Sequence, residues 1–144
     1  MKVPRVSVWL IRTACVHLLS GAALGAMYLS LKAVGWPVFA ASHRPVHVEQ
    51  MLMGWLVQLV IGVAYWILPR PAGQDPGGRG GVIWAVYGLL NGGLLVAALG
   101  GDPALPAWLV PVGRVAETAA VALFALHAWN RQRPYRAAAR KLIL

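Results

Sequence analysis

The feature that most constrains this chain is a set of four long apolar runs, at about residues 8–34, 48–68, 82–99 and 105–129. A helix that crosses the hydrocarbon core of a bilayer needs roughly 20 mostly apolar residues. Backbone in lipid must satisfy its own polar groups, so runs of this kind become helices. Hydrophobic residues make up 59% of the chain and charged residues 12%, so the four runs leave nothing for a water-soluble domain. The expectation is an all-α polytopic membrane protein: one domain, residues 1–144, folded as a four-transmembrane-helix bundle.

The formal net charge of +9 raises nucleic acid as a partner, but the placement of the charge argues against it. With four crossings, Lys2, Arg5, Arg12, Arg70, Arg79, Arg131, Arg133, Arg136, Arg140 and Lys141 fall on one side. Only Lys32 and Arg44 fall on the other, and Arg114 lies within the fourth run. That asymmetry is the positive-inside pattern and predicts both termini on the cytoplasmic side. The basic C-terminal stretch also suits anionic lipid head groups. No nucleic-acid partner is expected; the expected location is the inner membrane of a bacterium or archaeon.

The first run is too long for a cleavable signal, and no small-residue cleavage site follows it. The single Cys15 excludes an intrachain disulfide and the C-x-x-C-H attachment of a c-type haem. Trp9, Trp36, Trp66, Trp108 and Trp129 fall near predicted span ends, where an indole sits half apolar and half wet. The stretch Pro69 to Gly81 reads as an irregular loop, and Gly100-Gly101-Asp102-Pro103 as a tight turn. Pro106 and Pro111 fall in the first turns expected for the fourth helix.

The second run opens at His47. An ionisable group at the mouth of a span is a functional-site candidate by default, and histidine is a common axial ligand of haem iron. Helical spacing puts His47, Met51, Gly54 and Gln58 on one face, with Gly62 and Tyr65 below. Gly54 would leave room for a flat macrocycle or for close approach of another helix. On the first run, His17, Gly21 and Gly25 form a stripe reaching Tyr28, and Gly88-x-x-x-Gly92 beside Asn91 is a second close-packing pattern. Arg114 and Glu117 share a face of the fourth helix. Arg114, helped by Arg44, would suit haem propionates; the competing reading is an ion pair of Arg114 with Glu117 or Glu49.

Depth separates the histidines. His47 falls at the outer end of its span, while His17 and His127 fall in the inner halves of theirs. Two haem readings stay open: an outer haem on His47 with its second ligand unassigned, or an inner haem on a His17–His127 pair. His127 also reads as an interfacial histidine beside Trp129, His17 as a packed histidine bonded to a carbonyl or Ser20, and His43 as a loop residue.

Arg44-Pro45-Val46-His47, then Gly54-Trp55, then Gly62-Val63-Ala64-Tyr65-Trp66-Ile67-Leu68-Pro69-Arg70, resemble the second helix of the haem–copper oxidase subunit I superfamily. The likeness is nearest the cbb3-type oxidase and nitric-oxide reductase branch. Leu18-Leu19-Ser20-Gly21 to Gly25-Ala26 resembles the first helix, and the whole resembles small four-helix cytochrome-oxidase-subunit-I-like proteins. The resemblance implies that His47 is an axial ligand of a low-spin haem near the outer face. A full subunit I has about twelve helices, three copper-binding histidines and a second haem histidine; four scattered histidines cannot supply these.

The expectation is a membrane b-type haem protein serving electron transfer or gas binding in a respiratory membrane, without catalytic activity of its own. Its second axial position would be taken by Met27, Met51, a partner chain or a small gas. A homodimer or a respiratory-complex partner would complete the site. The alternative is a non-catalytic subunit or assembly factor of a terminal oxidase or reductase, carrying no haem. No hydrolase, P-loop, dinucleotide or zinc motif is present.

Overall fold

The structure, a computed structural model, describes residues 3–36, 44–68 and 80–143, with side chains as far as Arg131. The expected loop position of His43 and the connection over residues 69–79 lie outside the described residues. The described residues are all-α, with four helices long and apolar enough to cross a membrane.

Helix α1 runs Arg5–Ala33, beginning three residues before the apolar run because its first turn buries Val6 and Ser7. It ends where Gly35 takes φ 84°, a left-handed conformation that costs glycine little. Trp36 N–H then bonds Leu31 O and Gly35 N–H bonds Lys32 O, so two terminal carbonyls gain partners.

Helix α2 runs Arg44–Ile67, four residues earlier than expected, with Pro45 in its first turn where the missing N–H costs nothing. His47 therefore lies a turn inside the helix. From Gln50 to Val57 the helix widens into π-type turns, and the N–H of Gln58 reaches back five residues to Met53 O. It tightens again over Gln58–Ile67.

Helix α3 runs Gly80–Leu99 and α4 runs Leu109–Ile143. Between them Asp102 Oδ1 accepts from the N–H of Ala104, and Leu105 N–H bonds Asp102 O. These turns, with Pro106 outside the helix, delay the start of α4 to Leu109 rather than 105. At the other end α4 continues to Ile143, past the expected stop at Trp129, so the basic tail prolongs the span as a helix.

The four helices form two tight pairs, α1 with α2 and α3 with α4, joined more sparsely to each other. The α3–α4 crossing is backbone on backbone: a Cβ on Gly93 would stand 2.7 Å from Gly113 O, and one on Gly113 would stand 2.5 Å from Gly93 O. Small residues permit this approach, which gives van der Waals contact where lipid supplies no hydrophobic drive between helices. A Cβ on Gly88 or Gly92, the pair with the recognisable spacing, would meet nothing within 4 Å among the described residues; the packing glycine is their neighbour Gly93.

An apolar core of Val6, Leu10, Ile61, Tyr65, Ile83, Val86, Leu90 and Ala120 joins the pairs at the end holding the start of α1 and the end of α2. Val16, Leu19, Leu29, Val60, Leu95, Val115 and Leu126 stand exposed on the outside, a surface suited to an apolar solvent. Ser20, Gln50, His47 and Asn91 lie toward the other end.

Candidate functional site

The face of α2 carrying His47, Met51, Gly54, Gln58 and Gly62 is the seam with α1. Each residue meets a defined counterpart. His47 packs on Gly25, Met51 on Gly21, and Gly62 beneath Leu10 and Ile11. Gly54 takes a ring rather than giving one: His17 of α1 rests on it, with Cγ 2.6 Å from where a Cβ would be. The seam is thus crossed by two histidines in opposite senses, each lying on a glycine of the other helix. Space beside Gly54 exists, and His17 fills it.

Gln58 is fully buried and donates from Nε2 to Leu10 O at 3.2 Å and to Thr13 Oγ1, while its Oε1 has no partner among the described residues. It fastens α2 to α1 rather than facing a pocket.

The two histidines differ in what they leave free. His47 Nδ1–H donates to Gly21 O at 2.7 Å. That bond sets the tautomer and leaves the Nε2 lone pair without a partner among the described residues, the state in which imidazole ligates a metal. His17 has its Nε2 engaged. Asn91 spends its Nδ2 on Tyr87 O at 2.9 Å, so its Oδ1 accepts from His17 Nε2–H at 3.0 Å. With the proton on Nε2, His17 Nδ1 is an acceptor; it lies 3.4 Å from Gln50 Oε1, which accepts from Ser20 Oγ. Ser20, His17, Gln50 and Asn91 thus form a polar cluster where α1, α2 and α3 meet. It borders a small cavity of about 120 Å³, which Glu49 and Val46 also line.

The remaining candidates lie elsewhere. His127 packs on Tyr65, ring centroids 5.9 Å apart, and Arg131 lies over the same ring at 5.0 Å. Tyr65 is eleven residues beyond Gly54 on α2, about 16 Å along a helix axis. His17 and His127 are therefore not brought to one iron, because three helical turns separate their levels. His47 and His17 are likewise about 10 Å apart along the seam. Arg114 Nε donates to Glu49 Oε1 at 3.3 Å. Glu49 stands two residues from His47, about 200° around the helix, so it faces α4 while His47 faces α1. Arg114 thus meets the opposite side of α2 from His47, away from propionates of a haem held there; Arg44, three residues before His47 and about 60° from it around the helix, lines a groove with Arg114. Glu117 does not pair with Arg114; it is buried against Gly93, and its Oε1 has no partner among the described residues.

Gln50 escaped the reading of the sequence, and Asn91 entered it only as the neighbour of a glycine pattern. The available signal was an uncharged polar residue inside an apolar run, Gln50 near the start of the second and Asn91 in the middle of the third, which in lipid must find a bond. Among the described residues no group of three or more His, Cys, Asp and Glu is placed to hold a metal ion. That observation does not bear on a haem, whose porphyrin brings four of its own ligands. No family model, curated protein or solved structure matches this chain.

Proposed function

We propose that this chain is a small integral-membrane b-type haem protein with His47 as an axial ligand, acting in electron transfer or gas binding in a respiratory membrane. The observation that carries the reading is the dressing of His47: Nδ1–H tied to Gly21 O, and Nε2 without a partner among the described residues. The donor fits haem iron. Bound haem would supply a one-electron couple, tuned by ligand and burial, and an iron able to take a gas at an open position. This chain's part is to hold His47 in one tautomer and one orientation, through the Gly21 carbonyl and the bare Gly25 backbone. His17 Nε2–H is committed to Asn91, and His17 lies about 10 Å from His47 along the seam, so the second axial position falls to a partner chain, a second copy or a gas. The charge asymmetry supports an orientation with both termini cytoplasmic and His47 toward the outer face.

Oxidised, reduced and carbon-monoxide spectra of the detergent-purified protein test this. Sharp reduced bands that His47→Ala abolishes, with helical content unchanged, support it. A colourless preparation made with ample haem supply overturns it.

A second reading is a non-catalytic subunit or assembly factor of a terminal oxidase or reductase. Gly88, Gly92 and exposed Trp84 favour it, since they form a face of α3 that the described residues leave uncovered. A colourless protein that co-purifies with an oxidase would support that reading.

A further inference from the structure

We infer that the groove between α2 and α4 is a binding site for one acidic, two-chained phospholipid, with its head-group phosphate held between Arg44 and Arg114. The groove encloses about 430 Å³ and is lined by Arg44, Pro45, Val48, Glu49, Leu52, Met53 and Arg114. Arg114 also lines a second depression, about 600 Å³, which runs along α4 from Val110 and Pro111 past Val115 to Ala119 and Ala122. Both helices begin at the same end of the bundle, α2 at Arg44 and α4 at Leu109. Two apolar troughs therefore meet at Arg114, one of them also bordered by Arg44, an arrangement that suits a head group beside two acyl chains.

The charges agree with an anionic occupant. Arg114 keeps 59% of its side chain exposed and spends only Nε on Glu49, so its two Nη groups have no partner among the described residues. Arginine offers five donors in a planar fork that suits phosphate oxygens. Arg44 is exposed at the first turn of α2. Two cations face one carboxylate, leaving one positive charge in excess. Arg114 lies five residues into α4, about 7.5 Å below the helix start, a depth from which an arginine snorkels to head-group level. Small side chains at Ala119 and Ala122 leave space for a chain where larger residues would fill it.

The site does not rest on the haem reading, because His47 is turned to α1 through Gly21 O and does not line the groove. His47→Ala should leave the lipid preference unchanged.

Native mass spectrometry of the full chain in detergent tests the proposal, with phosphatidylglycerol, phosphatidylcholine of the same acyl chains, and inorganic phosphate as separate probes. Wild type should hold phosphatidylglycerol in preference to phosphatidylcholine, and Arg44→Gln and Arg114→Gln should each weaken that binding by about fivefold. Leu52→Trp, which fills a trough and keeps both cations, should reduce phosphatidylglycerol binding and spare inorganic phosphate. Glu49→Gln, which removes the competing carboxylate, should strengthen phosphatidylglycerol binding. Equal retention of the two lipids, or undiminished phosphatidylglycerol on the folded double arginine variant, overturns the site. Inorganic phosphate binding as tightly as phosphatidylglycerol, with no effect of Leu52→Trp, would make it a free-anion site and overturn the lipid as its occupant.

Discussion

His17 rests on the bare backbone of Gly54: a Cβ there would stand 2.6 Å from His17 Cγ and 2.9 Å from its Cβ. Both atoms lie close to the α1 backbone, so they cannot swing aside. Gly54→Ala should force α1 and α2 apart at a cost of about 1–3 kcal/mol, the usual range for overpacking. Gly25→Ala makes a different demand. Its new methyl meets the far side of the His47 ring, Cε1 at 2.7 Å, which can rotate away. Gly25→Ala should therefore lower the melting temperature less than Gly54→Ala does, yet disturb any spectrum that depends on His47. Gly88→Ala, with open space around it, should leave the melting temperature unchanged or raised. Thermal unfolding of the three variants in one detergent checks the order; equal losses at Gly54 and Gly88 would deny the ring-on-glycine seam.

The His17–Asn91 bond is one of few polar ties between the two helix pairs. Removing Asn91 takes away the acceptor of His17 Nε2–H beside a cavity that Leu94, Leu95 and Ala98 also line. Double-mutant cycles of hydrogen bonds between membrane helices average about 0.6 kcal/mol and reach about 1.7. A cycle of His17→Ala and Asn91→Ala, read by denaturation in mixed micelles, should show coupling in the upper part of that range, because Tyr87 O already fixes the Asn91 amide. Zero coupling would mean the pair is not formed.

The Glu49–Arg114 pair should matter far less to stability. Arg114 is mostly exposed and meets the carboxylate through a single Nε contact at 3.3 Å. Exposed pairs of this kind contribute about 0–1 kcal/mol. Glu49→Gln should therefore move the melting temperature little, and a large loss would show the pair to be shielded from solvent and lipid head groups.

The helices were legible because length and hydropathy are local properties, and each span can be read without its neighbours. Their ends were less so. Polar Arg5 and Ser7 hid the first turn of α1, and the charged residues beyond Trp129 read as a tail although the helix continues through them. The widened turns from Gln50 to Val57 have no periodic signature. The face bearing His47, Met51, Gly54 and Gln58 was legible as a stripe, but its counterpart was not. Helical phase says which residues face together and not what they face, so the room beside Gly54 read equally well as space for a macrocycle or for a helix. Only tertiary contact shows that a histidine of this same chain occupies it. Arg114 was separable from His47 in principle, since a spacing of two between His47 and Glu49 already sends their side chains apart.

Glu117 supplies the most discriminating stability test. It is buried at the tightest helix crossing, where a Cβ on Gly93 would lie 2.9 Å from its Cγ, and its Oε1 has no partner among the described residues. A buried polar atom without a bond costs free energy, whereas an apolar side chain of the same shape does not. Glu117→Gln preserves the shape and removes the charge; Glu117→Met preserves the volume and removes both oxygens. Both variants should melt at or above the wild-type temperature, with Glu117→Met the higher, while Glu117→Ala should melt lower because it leaves a void against Gly93. If Glu117→Met melts well below wild type, the carboxyl holds a bond that matters to the assembled protein, and its retention at the α3–α4 crossing would then be structural.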